Sequence, residues 1–165
     1  LGLIGVGDIG ERVTKIANAY DMNVLWAERQ GKAPRNDDYT DFDTVLKESD
    51  IISLHCPLTE ETKHLINKDT LSKMSKKPLL VNLARGKVVD SEALAQAVRD
   101  EQILGYATDV FEREPAGEDD PIVQLAKEGH PRIILTPHMG AGSRASQVKL
   151  WKIVTKQIND FIESY

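Results

Sequence analysis

The chain has 165 residues, 41% hydrophobic and 28% charged, with 21 Lys and Arg against 26 Asp and Glu. This is one domain's length and a globular composition, and the net charge of −5 argues against nucleic acid or an anionic membrane as the main partner. The single cysteine, Cys56, excludes an internal disulfide and a multi-cysteine metal site, and no apolar run is long enough to span a membrane. No signal peptide is evident either, so a cytoplasmic protein is expected.

The chain opens on Leu1-Gly2-Leu3-Ile4, without an initiator methionine, directly before a glycine motif. It reads as a piece that begins inside a strand. From Ile9, apolar residues at Ile9, Val13, Ile16, Ala17 and Tyr20 mark one face of a helix. Residues 23–27 (NVLWA) form a second strand, and the polar stretch from Gly31 to Tyr39 is a loop. A short helix over 42–48 precedes a third strand, 51–55, which Pro57 ends. Another short helix covers 69–74.

Residues 78–83 (PLLVNL) are apolar on both faces apart from Asn82, which suits a parallel strand covered on both sides. Asp90 is placed to cap a helix that carries Leu94, Ala97 and Val98 on one face. Strands follow at 103–110 and 133–136. The acidic stretch of Glu112, Glu114, Glu118, Asp119 and Asp120 is broken by Pro115 and Gly117 and reads as loop. Trp151, Val154, Ile158, Phe161 and Tyr165 stripe a long amphipathic C-terminal helix. Six strands separated by helices give a doubly wound parallel sheet of α/β class, a three-layer α/β/α Rossmann arrangement.

Gly5-Val6-Gly7-Asp8-Ile9-Gly10 matches G-x-G-x-x-G between a strand and a helix, the context a dinucleotide site requires. Gly5 permits the tight turn, Gly7 lets backbone approach a pyrophosphate, and Gly10 lets helix pack on strand. Phosphates then face free N–H groups at the helix N-terminus. Glu28 lies 18 residues after Gly10, at the end of the second strand. A carboxylate there accepts hydrogen bonds from ribose hydroxyls and repels a 2′-phosphate, which favours NAD over NADP. Arg29, Lys32 and Arg35 follow closely and offer a 2′-phosphate an alternative host.

In such a sheet, ligands sit outside the carboxyl ends of the strands. Arg85 follows the fourth strand, Asp109 and Glu114 the fifth, and His138 the sixth. In the order 3-2-1-4-5-6 these strands are neighbours, so Arg85, Glu114 and His138 gather on one rim. Arginine grips a carboxylate bidentately. Histidine transfers a proton near neutral pH, and a carboxylate beside it favours the imidazolium and fixes the tautomer. With a hydride carrier, these groups suffice to interconvert a 2-hydroxy acid and a 2-oxo acid. Each has a bland alternative: a surface charge for Arg85, a solvated loop acid for Glu114, a structural residue for His138.

The sequence resembles the NAD-binding domain of the D-isomer-specific 2-hydroxyacid dehydrogenases from Leu1 to about Ser146. The resemblance rests on GVGDIG, LHCPLTEETKHLIN at 54–67, NLARGKVVD at 82–90, TDVFEREP at 108–115 and TPHMGAGS at 136–143. It implies that Arg85 clamps the substrate carboxylate, that His138 is the general acid–base and that Glu114 is its partner. As hydride passes between NADH and C2, His138 would exchange the proton on the substrate oxygen. Asp109 would hold the nicotinamide carboxamide, and Asp8 and Ile9 would meet the pyrophosphate through backbone N–H. Pro57, Thr62, Leu83 and Ala84 would lie along the cofactor, which Arg85, His138 and Gly140 would also contact. His55 and Cys56 would stand near the adenosine, although Cys56 reads more simply as a small buried side chain. No metal is required.

Many family members carry Asp where this chain has Glu28. Members acting on formate have Gln at the position of Glu114, so Glu114 points to a hydroxy acid. The stretch AERQGK at 27–32 is similar to glycerate dehydrogenases (hydroxypyruvate reductases). The resemblance divides the chain into a dinucleotide domain, 1–142, and a C-terminal helix, 143–165. It further implies an N-terminal substrate domain missing from this chain and a homodimer for the full-length protein. The family also includes corepressors with the same triad, so an NAD(H)-sensing module is the alternative reading.

Overall fold

The computed structural model of the chain describes residues 1–163. Tyr165, assigned to the last helical stripe, lies outside them. Seven strands form one parallel sheet: β1 (Gly2–Ile4), β2 (Leu25–Ala27), β3 (Tyr39–Thr40), β4 (Ile51–Leu54), β5 (Leu79–Asn82), β6 (Gly105–Thr108) and β7 (Ile133–Leu135). Their order is β3-β2-β1-β4-β5-β6-β7. Six α-helices complete the fold: α1 (Asp8–Ala19), α2 (Phe42–Glu48), α3 (Lys68–Ser72), α4 (Ser91–Arg99), α5 (Pro121–Lys127) and α6 (Arg144–Glu163).

The central strands are the most apolar, and Leu3, Ile52, Leu54 and Leu80 are completely buried. Against them pack Phe42, Val45 and Leu46 of α2 and Leu94, Ala95, Ala97 and Val98 of α4. The helix starts follow ordinary capping chemistry. The Asp41 side chain accepts the Thr44 N–H, Asp90 that of Ala93, and Asp120 those of Ile122 and Val123. Asn67 and Thr70 form a reciprocal capping box at α3.

The fold class is as read from sequence, with four corrections. Tyr39–Thr40 is a strand where a loop is expected, pairing with Trp26–Ala27. It is too short to show alternation. Its presence changes the strand order: the strand at 51–54 is not at the outer edge but pairs directly with β1. The adjacency of the fourth, fifth and sixth sequence strands survives, because β5, β6 and β7 are neighbours. Pro121–Lys127 is a helix where none is expected, with Asp120 as cap and Pro121 in the first turn. Finally, the apolar face expected of the first helix is buried only in part. Gly10 and Ala17 are buried, whereas Ile9, Ile16 and Tyr20 are exposed.

Between β1 and β4 the chain order reverses, and a crevice opens there at the carboxyl edge. At the same edge, the loops after β5 and β6 meet backbone to backbone. A Cβ at Gly86 would fall on the Phe111 carbonyl group. That close approach brings the turn carrying Arg85 against the segment leading to Glu114. Gly86→Ala is therefore expected to destabilise the domain by about 3 kcal/mol, the range of overpacking that forces backbone to move. Urea unfolding checks this, and a loss below about 0.5 kcal/mol would contradict the contact.

Candidate active site and cofactor cleft

The glycine turn has the shape its sequence predicts. Gly5 adopts φ +94°, and a Cβ there would lie 2.7 Å from Cys56 Cα. A Cβ on Gly10 would lie 2.8 Å from the Gly5 carbonyl oxygen, so helix and turn can touch only without one. Above Gly7 there is nothing within 4 Å. No side chain caps α1, and its first backbone bond runs from the Glu11 N–H to the Gly7 carbonyl at 2.9 Å. The N–H groups of Asp8, Ile9 and Gly10 consequently have no partner within the helix. Open space before an uncapped helix N-terminus fits a pyrophosphate.

A cleft of about 490 Å³ runs from this turn past Glu28, Arg35, Cys56, Pro57 and Thr62. Thr62 shapes its wall, donating to the Pro57 carbonyl at 2.6 Å and accepting the Thr59 N–H at 2.8 Å. Cys56 is buried, and burial pushes its thiol pKa up, which fits the small-side-chain reading rather than thiolate chemistry. His55 is half-buried, its Nε2 lies 3.0 Å from Ser53 Oγ, and burial lowers its pKa.

Glu28 departs from expectation. Its residue is 4% exposed, and both oxygens are already engaged. Oε1 accepts the Arg29 N–H at 2.8 Å and Arg35 Nη2 at 2.6 Å. Oε2 accepts Arg35 N–H at 3.0 Å and Arg35 Nε at 2.7 Å. The guanidinium lies 4.2 Å from the centre of the Tyr39 ring, so the overlooked β3 supplies its platform. The Arg35 fork, with the Arg29 N–H, lowers the Glu28 pKa to about 2.

Arg85, Glu114 and His138, the groups expected to act on the substrate, stand at the ends of β5, β6 and β7. Asn82, fully buried, accepts the Ala84 N–H on Oδ1 at 3.0 Å and donates through Nδ2 to the Arg85 carbonyl at 3.1 Å. This clamp fixes the turn that presents Arg85, whose Nη1 donates to the Ala84 carbonyl at 2.7 Å. Ala84 is buried and Leu83 is 53% exposed. His138 Nδ1 lies 2.6 Å from Glu114 Oε2, and the Phe111 N–H donates to Glu114 Oε1 at 3.1 Å. These bonds, that to His138 first, hold the Glu114 carboxyl below its usual range, and the Arg85 charge assists. Glu114 and His138 line a pocket of about 400 Å³ with Phe111, Thr136 and Pro137.

His138 has φ +52°, a left-handed conformation that histidine adopts more readily than most residues. Asp109 holds this loop. Its buried carboxylate accepts the Thr136 hydroxyl at 2.5 Å and the N–H groups of Met139 and Gly140 at 2.8 Å each. The Thr136 bond is the chief reason that its pKa is lowered. Both residues expected along the cofactor are thus also bound to each other: Asp109 anchors the loop, and the Gly140 N–H is given to it.

Sequence reasoning did not single out Asn82, Thr136, Glu112 or His64 as site residues. The Ser91 N–H donates to Glu112 at 2.9 Å, and His64 Nε2 lies 3.3 Å from the same carboxylate, joining the loop after β4 to that after β6. Asn82 had one legible signal, as the sole polar residue in an apolar strand.

The Glu28–Arg35 pair makes stability depend on pH. Its folded pKa of about 2 lies below the ordinary 4.5. Its contribution is therefore complete above pH 4.5 and is lost as pH falls toward 2. Glu28→Gln should flatten the decline of Tm across that acid range. A decline as steep as in the wild type would contradict the pair.

Residues 1–140 match the model of the D-isomer specific 2-hydroxyacid dehydrogenase family, NAD binding domain. The chain is 41% identical over 150 residues to a hydroxypyruvate reductase of Thermotoga maritima, covering 89% of this chain and 47% of that protein. It is 37% identical over 163 residues to a glyoxylate reductase of Thermofilum pendens, covering 96% and 47% respectively. The structure is similar to that of a D-lactate dehydrogenase from Aquifex aeolicus complexed with NAD and lactic acid. The TM-score is 0.86 and the identity 35%, over 99% of this chain and 53% of that one. The chain spans about half the length of the curated relatives it matches. Its match across those residues and the seven-stranded parallel sheet together show that it belongs to the NAD-binding domain of the D-isomer specific 2-hydroxyacid dehydrogenases.

Proposed function

We propose that this chain is the cofactor-binding and catalytic domain of an oxidoreductase that interconverts a D-2-hydroxy acid and a 2-oxo acid with NAD(H). The observation that carries the reading is the His138 Nδ1–Glu114 Oε2 pair, 2.6 Å apart, at the strand edge that also bears Arg85. A substrate of glycerate or hydroxypyruvate type is favoured by the likeness to a hydroxypyruvate reductase and by the AERQGK stretch.

The pyrophosphate would rest on Gly5, Gly7 and Gly10 and take the N–H groups of Asp8 and Ile9. Cys56, Pro57 and Thr62 line the cleft; Pro57 and Thr62 would lie along the cofactor, and the adenosine would stand near His55 and Cys56. Leu83, Ala84, Asp109 and Gly140 would border the nicotinamide end. A bound nicotinamide supplies hydride to, or accepts it from, C2 of the substrate.

The remaining chemistry belongs to side chains. Glu114 is ionised, and a carboxylate only accepts hydrogen bonds, so His138 Nδ1 must carry a hydrogen. Nε2 is left as the working atom. In reduction it gives its proton to the carbonyl oxygen, and in oxidation the neutral ring takes the hydroxyl proton. Arg85, a permanent cation, holds the substrate carboxylate and orients the carbonyl.

The same reading gives the full-length protein a separate substrate-choosing domain and makes it a cytoplasmic homodimer. Support for self-association comes from exposed apolar side chains on α6, where Leu150 is 59% and Trp151 70% exposed, and on α1, where Ile9 is 62% exposed. No helix among the described residues is long and apolar enough to cross a membrane. Nothing in the comparisons supports the alternative of an NAD(H)-sensing module of corepressor type.

In the full-length protein, His138→Gln should lower turnover of 2-oxo acids by roughly 10³-fold while leaving NADH binding intact. Steady-state kinetics and a fluorescence titration check this, and unchanged turnover would refute the role. Glu114→Gln should shift the pH profile of reduction to lower pH, because imidazolium loses its anionic partner. An unmoved profile would count against the pairing.

A further inference from the structure

We propose that Glu112 is a positioning residue for the reaction assigned above, fixing the turn that carries Arg85 against the His138–Glu114 pair. The inference rests on that reading of Arg85, Glu114 and His138 and concerns a carboxylate outside that group of three.

Arg85 opens a short turn whose next residues, Gly86–Val88, form a 3₁₀ helix. The Asn82 clamp fixes only its first residues. Neighbouring loops grip the rest. At its start, Gly86 closes on the Phe111 carbonyl group so tightly that no Cβ fits. Along its middle, the N–H groups of His64 and Ile66 donate to the Lys87 and Val88 carbonyls at 2.8 and 3.0 Å. At its end, the Ser91 N–H donates to Glu112 Oε1 at 2.9 Å. Phe111 and Glu112 are consecutive, so two adjacent residues hold both ends of the turn.

Glu112 also closes these contacts into a ring. Its Oε2 lies 3.3 Å from His64 Nε2. An ionised carboxylate only accepts hydrogen bonds, so Nε2 supplies the hydrogen. Although burial favours the neutral acid, the bonds from Ser91 and His64 keep the Glu112 carboxyl below its usual range. His64 has φ +48°, a left-handed conformation that persists only where its surroundings fix it. Its ring bond to Glu112, its N–H bond to Lys87 and the Asn67 Nδ2 that donates to its carbonyl at 2.9 Å do so.

Two residues beyond Glu112 stands Glu114, the partner of His138. One segment, 111–114, therefore carries the carboxylate of the proton pair at one end and grips the Arg85 turn at the other. A substrate held by Arg85 must present its carbonyl to His138, and Glu112 keeps that spacing. Loss of its carboxylate leaves every reacting group in place but loosens their geometry, which costs rate and binding.

The test is steady-state kinetics of the full-length protein with hydroxypyruvate, beside a fluorescence titration with NADH. Glu112→Ala should lower kcat/KM by roughly tenfold, the loss of one hydrogen bond to a charged group, mostly as a rise in KM. The Kd of NADH should stay within about twofold. Glu112→Gln keeps an acceptor for Ser91 without the charge and should fall between. His64→Ala should act in the same direction, and the double variant should lose less than the product of the two single losses. A kcat/KM of Glu112→Ala within about twofold of the wild type overturns the inference. So does a loss matched by an equal weakening of NADH binding, which would mark a general loosening of the fold. Arg85→Gln is the control. If it raises KM and Glu112→Ala does not, the inference alone falls; if Arg85→Gln leaves KM unmoved, the reading of Arg85 falls with it. Should Glu112→Ala not fold, His64→Ala decides on the same criteria.

Discussion

The arrangement of the carboxyl edge that carries Arg85, Glu114 and His138 depends on one buried carboxylate. Asp109 leaves β6 and accepts three hydrogen bonds from the loop that follows β7. With the bond from the His138 N–H to the Thr136 carbonyl, that anchor holds the loop in which His138 adopts φ +52°, a conformation with an intrinsic energetic cost. The buried acceptor and the strained residue are complementary. The loop must bend sharply to deliver three donors to one carboxylate, and the bend places the imidazole where Glu114 reaches it. Position in sequence alone shows only that Asp109 and His138 both follow strands.

The same device recurs along the edge. Glu28 takes the N–H groups of Arg29 and Arg35, Glu112 takes that of Ser91, and Glu114 takes that of Phe111. Four acidic side chains thus satisfy backbone donors in loops that would otherwise lack partners. The device also separates two uses of acid in one region: Asp109 and Glu112 hold the scaffold, while Glu114 both holds Phe111 and pairs with His138.

Much of this was legible in the sequence, for physical reasons that can be named. The glycine turn is legible because the required glycines are local. Gly5 needs a positive φ, and Gly10 must lack a Cβ against the turn. The gathering of Arg85, Glu114 and His138 follows from strand adjacency, which held although the strand count did not. What escaped were pairings between distant segments or very short ones. Tyr39–Thr40 is two residues long, and its pairing with Trp26–Ala27 is tertiary. The burial of α1 through Gly10 and Ala17, with Ile9, Ile16 and Tyr20 of its apolar stripe left exposed, reflects a helix pressed close to the glycine turn and sheet. The engagement of Glu28 by Arg35 was unreadable because both residues suit a ribose site equally well when considered singly.

The claim on which the functional reading turns is that Glu114 fixes the tautomer of His138, leaving Nε2 as the atom that moves the proton. Nitrogen-15 NMR of the histidine rings in the full-length protein measures this directly. At a pH where the ring is neutral, His138 should show Nδ1 protonated and Nε2 bare, and Glu114→Gln should weaken that preference. A neutral ring protonated on Nε2, with Nδ1 bare, would contradict it.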